Sequence, residues 1–360
     1  KTKTITTRLA YLISELGIPP SNTLTLTFTN KAASEMRTRA LKMLGDAGKN
    51  FTPLLCTFHK FGLLFLKFYI DRLKRKNNFV IIDTDDKKRI LKGFEGDIPT
   101  SVLASEISNF KNSLLSVEEV LNHGGMFANG QNFKDGYHAK LANIYKLYEE
   151  YLAANNLVDF DDLLCLSYKI LDEDEALARE ISQRYAYIMV DEYQDTNGLQ
   201  EGILSQIARD ANRFIVGDVK QSIYRFRLAD PALFQATYRK YRSHGADGEL
   251  VTMSENFRSR AEVLEPINEI FSQIMSEESV AIAYDEAARL NPGRTFDDLM
   301  QGKSLAEPLE IDILRADYSA SEDEEAEEER KAFEVEAHFI ARRIGELKSE
   351  GYVLQNGEPL

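Results

Sequence analysis

The sequence predicts an α/β protein built on a parallel sheet, and the main observation is a pair of short apolar runs that each end in an acidic residue. Residues 187–190 read Tyr-Ile-Met-Val and are followed by Asp191 and Glu192. Residues 214–217 read Phe-Ile-Val-Gly and are followed by Asp218. Short continuous apolar runs are typical of parallel strands that are covered on both faces.

The two acids after the first run predict a binding site at the edge of this sheet. Ligands bind outside the carboxyl ends of the strands in open α/β sheets, so we expect Asp191 and Glu192 to stand at the mouth of a site. One carboxylate can hold Mg²⁺ together with nucleotide phosphates, and the second can activate a water molecule. The alternative is that both acids cap a strand end in solvent.

The N-terminal segment shows the alternation of helix and strand that such a sheet requires. Apolar periodicity predicts a helix over residues 4–16, and residues 24–28 alternate leucine with threonine as a strand does. Thr29 or Asn30 is expected to cap the next helix. The inner face of that helix is predicted to carry Ala33, Met36 and Ala40.

The middle of the chain is predicted to hold a helical insertion. Residues 54–58 form a predicted strand that leads into an aromatic helix over residues 60–69. Residues 84–155 lack strong strand signals and are predicted to be helical, and the βα pattern resumes near Phe160. One amphipathic helix within this insertion, residues 140–152, is predicted to bury the in-phase residues Leu141, Ile144, Leu147, Tyr148 and Tyr151.

The last third of the chain carries weaker signals. We expect a strand at residues 250–253, a helix over residues 261–275 and a turn at residues 291–293, where the sequence reads Asn-Pro-Gly. A further strand is predicted at residues 309–314, and a helix at residues 330–350.

Composition is ordinary for a globular protein. The 360 residues are 43% hydrophobic, which allows two to three domains with sizeable cores. The two cysteines, Cys56 and Cys165, show no metal or disulfide spacing, which fits a reducing compartment. There is no long apolar run and no signal-peptide pattern, so no membrane association is expected and a cytoplasmic location is predicted.

The distribution of charge leaves the partner open. The net charge is −14, but residues 321–329 form a local acidic block that is expected to be solvated. Basic residues cluster in residues 67–76, in residues 87–89 and in residues 225–242. Local basic faces could therefore bind nucleic acid despite the acidic total.

Six stretches, which occur in family order, resemble the UvrD/Rep-like superfamily one DNA helicases. They are residues 27–33 (TFTNKAA), 56–59 (CTFH), 158–163 (VDFDDL), 190–195 (VDEYQD), 216–227 (VGDVKQSIYRFR) and 254–259 (SENFRS). The last two stretches, together with residues 283–290 (AYDEAARL), are closest in wording to AddA-type helicase–nuclease subunits.

The resemblance implies a RecA-like P-loop NTPase parallel sheet with a helical insertion, plus part of a second RecA-like domain. The first motor domain would comprise residues 1–75 and 156–247, interrupted by the insertion at residues 76–155. Residues 248–360 would form a partial second motor domain with an acidic linker.

The resemblance also implies roles in binding and hydrolysing ATP. Lys1 would neutralise the β- and γ-phosphates, while Thr2 and Asp191 would hold Mg²⁺. Glu192 would orient and deprotonate the attacking water, and Gln221 would sense the γ-phosphate.

Three more residues would complete the nucleotide site in this interpretation. Gln194 is a second candidate for coupling hydrolysis to motion. Arg258 would stabilise charge on the γ-phosphate from the second motor domain, and Phe257 could stack on adenine. For Arg258, the alternative in isolation is a surface salt bridge.

DNA contacts are implied for a second set of residues. Single strands are bound by stacking on aromatic side chains together with contacts to the backbone. The aromatic candidates are Phe28, Tyr224 and Phe226, with Arg227 interleaved, and the hydrogen-bonding candidates are Thr29, Asn30, Thr57 and His59. Core packing is the alternative for Phe28 and for Phe58.

Two other polar groups carry weaker signals. His59 has no Cys or His partner at ligand spacing, which argues against a metal site there. The pair Asp161 and Asp162 suggests either a metal site or an acid pair favoured by a helix dipole, and the sequence does not choose between them.

The implied mechanism is translocation along single-stranded DNA. ATP would close two motor domains and hydrolysis would reopen them, so that the strand advances one step per cycle. The family implies 3′-to-5′ movement, a role in repair or recombination, duplex or single-stranded DNA as substrate, and an AddB-type partner subunit.

The resemblance is incomplete at both ends of the sequence. The glycines of the phosphate-binding loop, two later motor motifs and a nuclease domain are not found. We therefore expect this sequence to be a piece of a longer helicase, and we expect the piece alone not to hydrolyse ATP at a useful rate.

Three alternatives remain open. The chain could be a catalytically inactive DNA-binding or scaffold fragment of such a motor. It could be an unrelated P-loop protein such as a small GTPase, although there is no Asn-Lys-x-Asp segment to read guanine. RNA could replace DNA, because nothing in the sequence tests for the 2′-hydroxyl.

Overall fold

The computed structural model describes residues 1–45, 53–94, 98–122, 137–209, 212–224, 228–242, 248–276, 284–294, 312 and 325–350. The chain divides into two units, residues 1–250 and residues 251–360, and each is described by itself.

The first unit alternates strands and helices. In chain order its elements are α1 (Thr2–Ser14), β1 (Thr23–Thr27), α2 (Asn30–Leu44), β2 (Leu54–Thr57), α3 (Phe58–Tyr69), β3 (Val80–Ile81), α4 (Thr84–Lys92), α5 (Thr100–Asn112), α6 (Val117–Asn122), α7 (Tyr137–Ala154), β4 (Leu157–Val158), α8 (Asp162–Glu173), α9 (Glu175–Arg184), β5 (Tyr187–Val190), α10 (Gly198–Ile207), β6 (Arg213–Ile215) and α11 (Pro231–Arg242). Short 3₁₀ helices cover Tyr193–Asp195 and Val219–Gln221.

The predicted parallel sheet is confirmed. Its four described strands run in the order β2-β1-β5-β6, and every neighbouring pair is parallel. Leu26 is paired with Cys56 on one side and with Val190 on the other. Because all four strands are parallel, their carboxyl ends lie along one edge.

Helices cover both faces of this sheet, as its apolar strands require. On one face, α1 and α2 pack against Leu55 and Met189. On the other, α3, α8, α9 and α10 pack against Leu24 and Ile188. The predicted inner residues of α2, namely Ala33, Met36 and Ala40, are all buried.

The helices α4 to α7, which were predicted to form a helical insertion, share a separate core with Ile82. The short strands β3 and β4, on either side of these helices in the sequence, pair in parallel with each other. Leu141, Ile144 and Tyr148 are buried as predicted. The prediction was wrong for Leu147 and Tyr151, which are 38% and 42% exposed, because the buried face of α7 is rotated towards Tyr145 and Leu152.

The second unit contains β7 (Glu255–Asn256), α12 (Ala261–Ile274), β8 (Asn291–Pro292) and α13 (Glu325–Ser349). The predicted helices at 261–275 and 330–350 are confirmed, although α13 begins earlier, inside the acidic block. The strand predicted at residues 309–314 lies outside the described residues, apart from Asp312.

Two predictions in this unit were wrong. Residues 250–253 are not a strand, and Val251 and Met253 are 70% and 56% exposed. The strand lies two residues later, where β7 pairs in parallel with β8. Pro292 is tolerated there although the segment was predicted to be a turn, because Asn291 and Gly293 supply the N–H groups that bond to Ser254 and Asn256.

Among the described helices, none is both long enough and apolar enough to cross a membrane.

Candidate functional site

The carboxyl ends of β5 and β6 lie side by side. They bring Asp191, which follows β5, and Asp218, which follows β6, to the same edge of the sheet. Val190 pairs with Ile215 in the last register of these strands. Asp191 follows β5 directly, and its N–H donates to the carbonyl of Leu26 at 3.0 Å. Asp218 lies three residues after β6.

The first residues of α1 meet this edge. The Lys1 Nζ donates to Gln221 Oε1 at 2.8 Å, and Gln221 Nε2 donates to Asp218 Oδ2 at 2.9 Å. The Thr2 hydroxyl donates to Asp191 Oδ2 at 3.3 Å. The structure therefore brings together residues that are about 190 to 220 positions apart in the sequence.

The Thr2 and Asp191 oxygens fit a magnesium ion. Mg²⁺ prefers oxygen ligands and usually binds through one or two carboxylates plus substrate phosphates and water. Within the described part of the chain, no group of three or more His, Cys, Asp or Glu side chains could hold a metal ion by itself. Burial raises the pKa of Asp191, while hydrogen bonds from the Glu192 N–H and the Thr2 hydroxyl lower it in part.

Glu192 has an unusual backbone. Its φ of 52° and ψ of 40° lie in the left-handed region, which non-glycine residues adopt rarely. Lys74, Leu114, Asn156 and Leu228 also have positive φ, so this conformation alone does not indicate a site. Burial raises the pKa of the Glu192 carboxyl, the neighbouring Asp191 raises it further, and Lys1 lowers it in part. A carboxylate with a raised pKa is a better proton acceptor near neutral pH.

Gln194 bridges the ends of β5 and β6. Its Oε1 accepts from the Asp218 N–H at 3.0 Å, and its carbonyl accepts from the Ser222 hydroxyl at 3.1 Å. Gly217 makes this contact possible, since a Cβ there would lie 2.9 Å from Gln194 Oε1 and 2.6 Å from the ring of Phe234.

Asp195 belongs to this site although the sequence analysis assigned it no role. Its side chain is 8% exposed, and its Oδ2 lies 3.4 Å from Gln194 Nε2. Burial, followed by the charge of Glu192, raises the pKa of Asp195 to about 6. Its place inside the quoted stretch VDEYQD was the only available signal.

Sequence reasoning also missed a group of three residues, Tyr193, Glu201 and Arg213, that holds the turn after Glu192 against α10 and β6. The Tyr193 hydroxyl donates to Glu201 Oε2 at 2.6 Å. Arg213 donates to both oxygens of the same carboxylate, at 2.9 and 2.8 Å. This contact joins α10 to β6 across 12 residues, a separation that carries no periodic signal.

The hydroxyl groups predicted to contact DNA lie at the ends of β1 and β2. Thr29 caps α2 by accepting from the Ala32 N–H at 3.1 Å, and Thr57 caps α3 by accepting from the Lys60 N–H at 3.2 Å. Each cap uses the oxygen as an acceptor and leaves the O–H group able to donate. Asn30 is exposed beside Thr29.

Aromatic residues at the same edge differ in exposure. Phe28 is half-buried and packs against the core, with its ring 5.5 Å from the ring of Phe58. Phe58 is fully buried, so the core alternative holds for that residue. His59 stacks on Phe160, with the ring centroids 4.0 Å apart and the planes at 18°. Phe160, which the sequence analysis did not single out, is 57% exposed.

His59 is neutral at physiological pH. Burial lowers its pKa to about 4, although the charge of Asp161 acts in the opposite direction. A neutral imidazole can donate one hydrogen bond and accept another, but it adds no positive charge to a phosphate contact.

The remaining predicted residues fall into two groups. Tyr224 is half-buried and follows Gln221 by three residues, while Phe226 and Arg227 lie outside the described residues. Phe257 and Arg258 belong to the second unit and are exposed. The Phe257 ring packs on Gly293, where a Cβ would lie 2.8 Å from it, and the Arg258 N–H donates to Asn256 Oδ1 at 2.8 Å.

The acid pair near residue 160 is neither exposed nor arranged around a metal. Asp162 begins α8, as the helix-dipole alternative expected, but its carboxylate accepts from Lys111 Nζ at 2.7 Å. Asp161 accepts from Lys87 Nζ at 3.1 Å. Lys87 was predicted to belong to a basic face, and this was wrong, because the side chain is buried among these acids.

Comparisons with known proteins agree with the family resemblance that the six sequence stretches indicated. A model of the UvrD/REP helicase N-terminal domain matches residues 1–242. The chain is 43% identical over 206 residues to an ATP-dependent helicase/nuclease subunit from Alkaliphilus metalliredigens, a match that covers 56% of this chain and 17% of that protein. It is 32% identical over 317 residues to the ATP-dependent DNA helicase PcrA of Bacillus subtilis, a match that covers 85% of this chain and 41% of that protein.

The chain thus spans less than half the length of these curated relatives. The family match, in contrast, covers 242 of its 360 residues, including every strand of the four-stranded sheet. On this match, the chain belongs to the UvrD/REP helicase family.

Proposed function

We propose that this chain carries the nucleotide-binding part of an ATP-dependent DNA helicase that moves along single-stranded DNA. The observation that carries the proposal is the contact of Lys1 and Thr2 with Gln221 and Asp191 at the carboxyl edge of the sheet. These are the residue types that bind a triphosphate and its metal ion in P-loop NTPases.

Each residue at this edge has a proposed role in ATP hydrolysis. Lys1 binds the β- and γ-phosphates, and Thr2 and Asp191 hold Mg²⁺. The metal ion, when bound, neutralises phosphate charge. Glu192 accepts the proton of the attacking water, a role that its raised pKa supports.

Gln221 and Gln194 are proposed to connect the nucleotide with DNA. Gln221 contacts both Lys1 and Asp218, so a γ-phosphate at Lys1 would compete with the Gln221 amide oxygen for the Lys1 ammonium group. The short helix that ends at Gln221 leads within three residues to Tyr224, a proposed DNA contact. Gln194 ties the same segment to β5 through the Asp218 N–H.

DNA is proposed to lie along the ends of β1 and β2. The contacts there are assigned to Phe28, Thr29, Asn30, Thr57 and His59, together with Tyr224, Phe226 and Arg227. Phe160 joins them because its exposed ring extends the surface of His59. Base stacking on such rings is worth roughly 1–3 kcal/mol for each base.

The domain division is part of this proposal. Residues 1–75 and 156–247 form the first motor domain, residues 76–155 the insertion, and residues 248–360 part of the second motor domain. Arg258 and Phe257 then act on the nucleotide from that second domain. Movement in the 3′-to-5′ direction, a role in repair or recombination, an AddB-type partner and a cytoplasmic location extend the proposal on the strength of the relatives.

The test uses the full-length gene product that carries this sequence. Glu192→Gln should reduce DNA-stimulated ATP hydrolysis about 100-fold or more, with ATP binding retained, because a general base contributes about 10²–10⁴ in rate. Glu180→Gln, at an exposed position of α9, is the matched control and should hydrolyse ATP normally.

Two outcomes would contradict the proposal. Unchanged turnover in Glu192→Gln would remove that residue from its role. A wild-type protein that binds single-stranded DNA but neither binds nor hydrolyses ATP would support the alternative, an inactive DNA-binding scaffold.

A further inference from the structure

A buried cluster of charged side chains joins the helical insertion to the turn between β4 and α8. Lys111 of α5 has a fully buried side chain. Its Nζ lies 2.7 Å from Asp162 Oδ1, 3.1 Å from Asp159 Oδ2 and 2.7 Å from Glu149 Oε1. Asp159 and Asp162 also accept hydrogen bonds from each other's main-chain N–H groups, at 2.8 and 3.0 Å. This turn is therefore held at both of its ends.

The remaining acid of the turn, Asp161, is bound by side chains of α4 and α5. Asp161 Oδ2 accepts from Lys87 Nζ at 3.1 Å and from the Ser108 hydroxyl at 2.5 Å. Asp161 Oδ1 accepts from Asn112 Nδ2 at 3.0 Å. All three carboxylates of the turn are thus bound by side chains of α4 and α5.

Burial and charge make this cluster costly to separate. Burial alone lowers the pKa of Lys111, but the carboxylates of Asp162, Asp159 and Glu149 raise it well above its usual range. A buried charge that loses its partner is strongly destabilising, so neither side of the cluster can move alone.

Phe160 is the one residue of this turn that faces outward. Its flanking residues are bound to the insertion, while its ring is 57% exposed and stacks on His59. Since the backbone on both sides is held by α4 and α5, those helices determine where the ring of Phe160 lies.

Helix α5 also contacts the segment that follows Glu192. Asn112 Oδ1 accepts from Asn197 Nδ2 at 3.1 Å. Asn197 caps α10 through a reciprocal pair of hydrogen bonds with Gln200. Only the short helix Tyr193–Asp195 and Thr196 separate this cap from Glu192. One amide side chain therefore contacts both the turn that carries Phe160 and the segment that follows Glu192.

We infer that α5 is a positioning element that connects the two proposed sites, with Asn112 as the residue that couples them. A shift of the segment after Glu192 would pass through Asn197 and Asn112 to Asp161, and from there to the stacked pair of Phe160 and His59. This inference rests on the proposed function. None of the residues of α5 lies in the six stretches that carry the family resemblance.

The test measures how strongly nucleotide and DNA affect each other's binding. An oligo(dT) strand and a fluorescent ATP analogue are titrated onto the full chain, each with and without the other. Binding effects of this kind are reciprocal, so both titrations must give the same coupling factor. Asn112→Ala removes the contacts to Asp161 and Asn197 but leaves the buried ion pairs in place.

We expect Asn112→Ala to reduce the coupling factor about fivefold, since single hydrogen bonds contribute up to roughly one factor of ten. Nucleotide affinity in the absence of DNA should be unchanged. The matched control is Asn109→Ala on the same helix, because the contacts to Asp161 and Asn197 are made by the Asn112 side chain and not by Asn109. It should leave the coupling factor at the wild-type value.

A second variant tests the ion cluster with the number of positive and negative groups lowered equally. Lys111→Met combined with Asp162→Asn removes one positive and one negative group together. We expect the NMR signals of the His59 ring to shift, because the ring of Phe160 is no longer held in one position, and oligo(dT) binding to weaken.

The outcomes separate this inference from the proposed function. A wild-type chain that binds neither oligo(dT) nor nucleotide would overturn both. Wild-type coupling that persists in Asn112→Ala would overturn the inference alone. An equal loss of both affinities in Asn112→Ala, together with a lower melting temperature, would show a merely structural role and would also overturn it.

Discussion

Two regions of this protein place lysines beside carboxylates, and they differ in how completely the charges are paired. In the cluster between α5 and the turn that joins β4 to α8, Lys111 is fully buried and contacts three carboxylates. At the sheet edge, Lys1 is partly exposed and donates to a neutral amide, while Asp191 and Glu192 have raised pKa values. Lysine and carboxylate groups are therefore fully paired with one another in the buried cluster, whereas at the sheet edge Lys1 has no carboxylate partner of its own among the described residues.

The difference follows from what surrounds each lysine. A buried ion pair is costly to break, because removal of one partner leaves the other charge without water or compensation. A partly exposed group can exchange its present partner for a ligand at little cost. The sheet edge is therefore the region where we propose that a phosphate binds.

The largest expected effect is on stability, in the buried cluster. Lys111→Met should lower the free energy of unfolding by about 3–5 kcal/mol, the usual cost of leaving a buried charge unpaired. Chemical denaturation of the first unit measures it. Lys146→Met, which removes an exposed pair with Glu150 on α7, is the control and should cost at most about 0.5 kcal/mol. Equal effects of the two variants would refute the contrast between buried and exposed pairs.

The next effect is the pH dependence of stability that comes from His59, which lies close to that cluster. The pKa of His59 is lowered from 6.5 to about 4 in the folded protein, so the unfolded chain binds the proton more tightly. Stability from this group is present above pH 6.5 and is lost as the pH falls towards 4. At about 1.4 kcal/mol for each pH unit, the loss reaches roughly 3 kcal/mol.

The measurement for His59 is the unfolding free energy at pH 7, 5 and 4. His59→Gln should lose less stability than the wild type across this range. The exposed His338 provides the control, and His338→Gln should follow the wild-type profile. A wild-type profile in His59→Gln would exclude His59 as the source of the loss.

A smaller effect is expected at the sheet edge from Gly217→Ala. The added methyl would collide with the ring of Phe234 and with Gln194 Oε1. Overpacking of this kind typically costs about 1–3 kcal/mol, and here it should also weaken nucleotide binding because Gln194 is displaced. Gly198→Ala is the control, since its Cβ would meet no atom within 4 Å. Thermal melting and titration with a fluorescent ATP analogue measure the two effects, and a neutral Gly217→Ala would contradict the packing described here.

The smallest change in stability is expected at Lys1. Lys1→Met removes one hydrogen bond of an exposed pair and should alter the unfolding free energy by less than about 1 kcal/mol. Its nucleotide affinity should nevertheless fall at least tenfold, because the charge is proposed to bind phosphate. Strong destabilisation in this variant would place Lys1 in the same class as Lys111 and remove the contrast between the two regions.

Much of the fold was predictable because its signals are local. Apolar runs predicted β1, β2, β5 and β6, and Thr29 was one of the two residues expected to cap α2. The cap that Thr57 provides for α3 was not predicted. The strand predicted at residues 250–253 failed because an apolar run becomes a strand only beside a suitable neighbour. The ladder in that unit pairs β7 with β8 instead.

The residues of the candidate site were likewise predictable only where the signal was local in the sequence. The short stretches around Asp191 and Gln221 predicted which residues meet at the carboxyl edge of the sheet, since these residues are close in sequence to strand ends. Lys87 was misplaced on a basic face because its partners, Asp159 and Asp161, lie more than 70 residues further along the chain. Periodicity along one helix does not report such a distant partner.

The sequence by itself determined the parallel strands, the acids at their ends and the membership of a helicase family. Only the tertiary structure decided which charges are paired, that Phe160 stacks on His59, and that Asn112 touches two distant segments. The physical reason is that strand formation depends on neighbouring residues, whereas burial and ion pairing depend on groups that folding brings together from far along the chain.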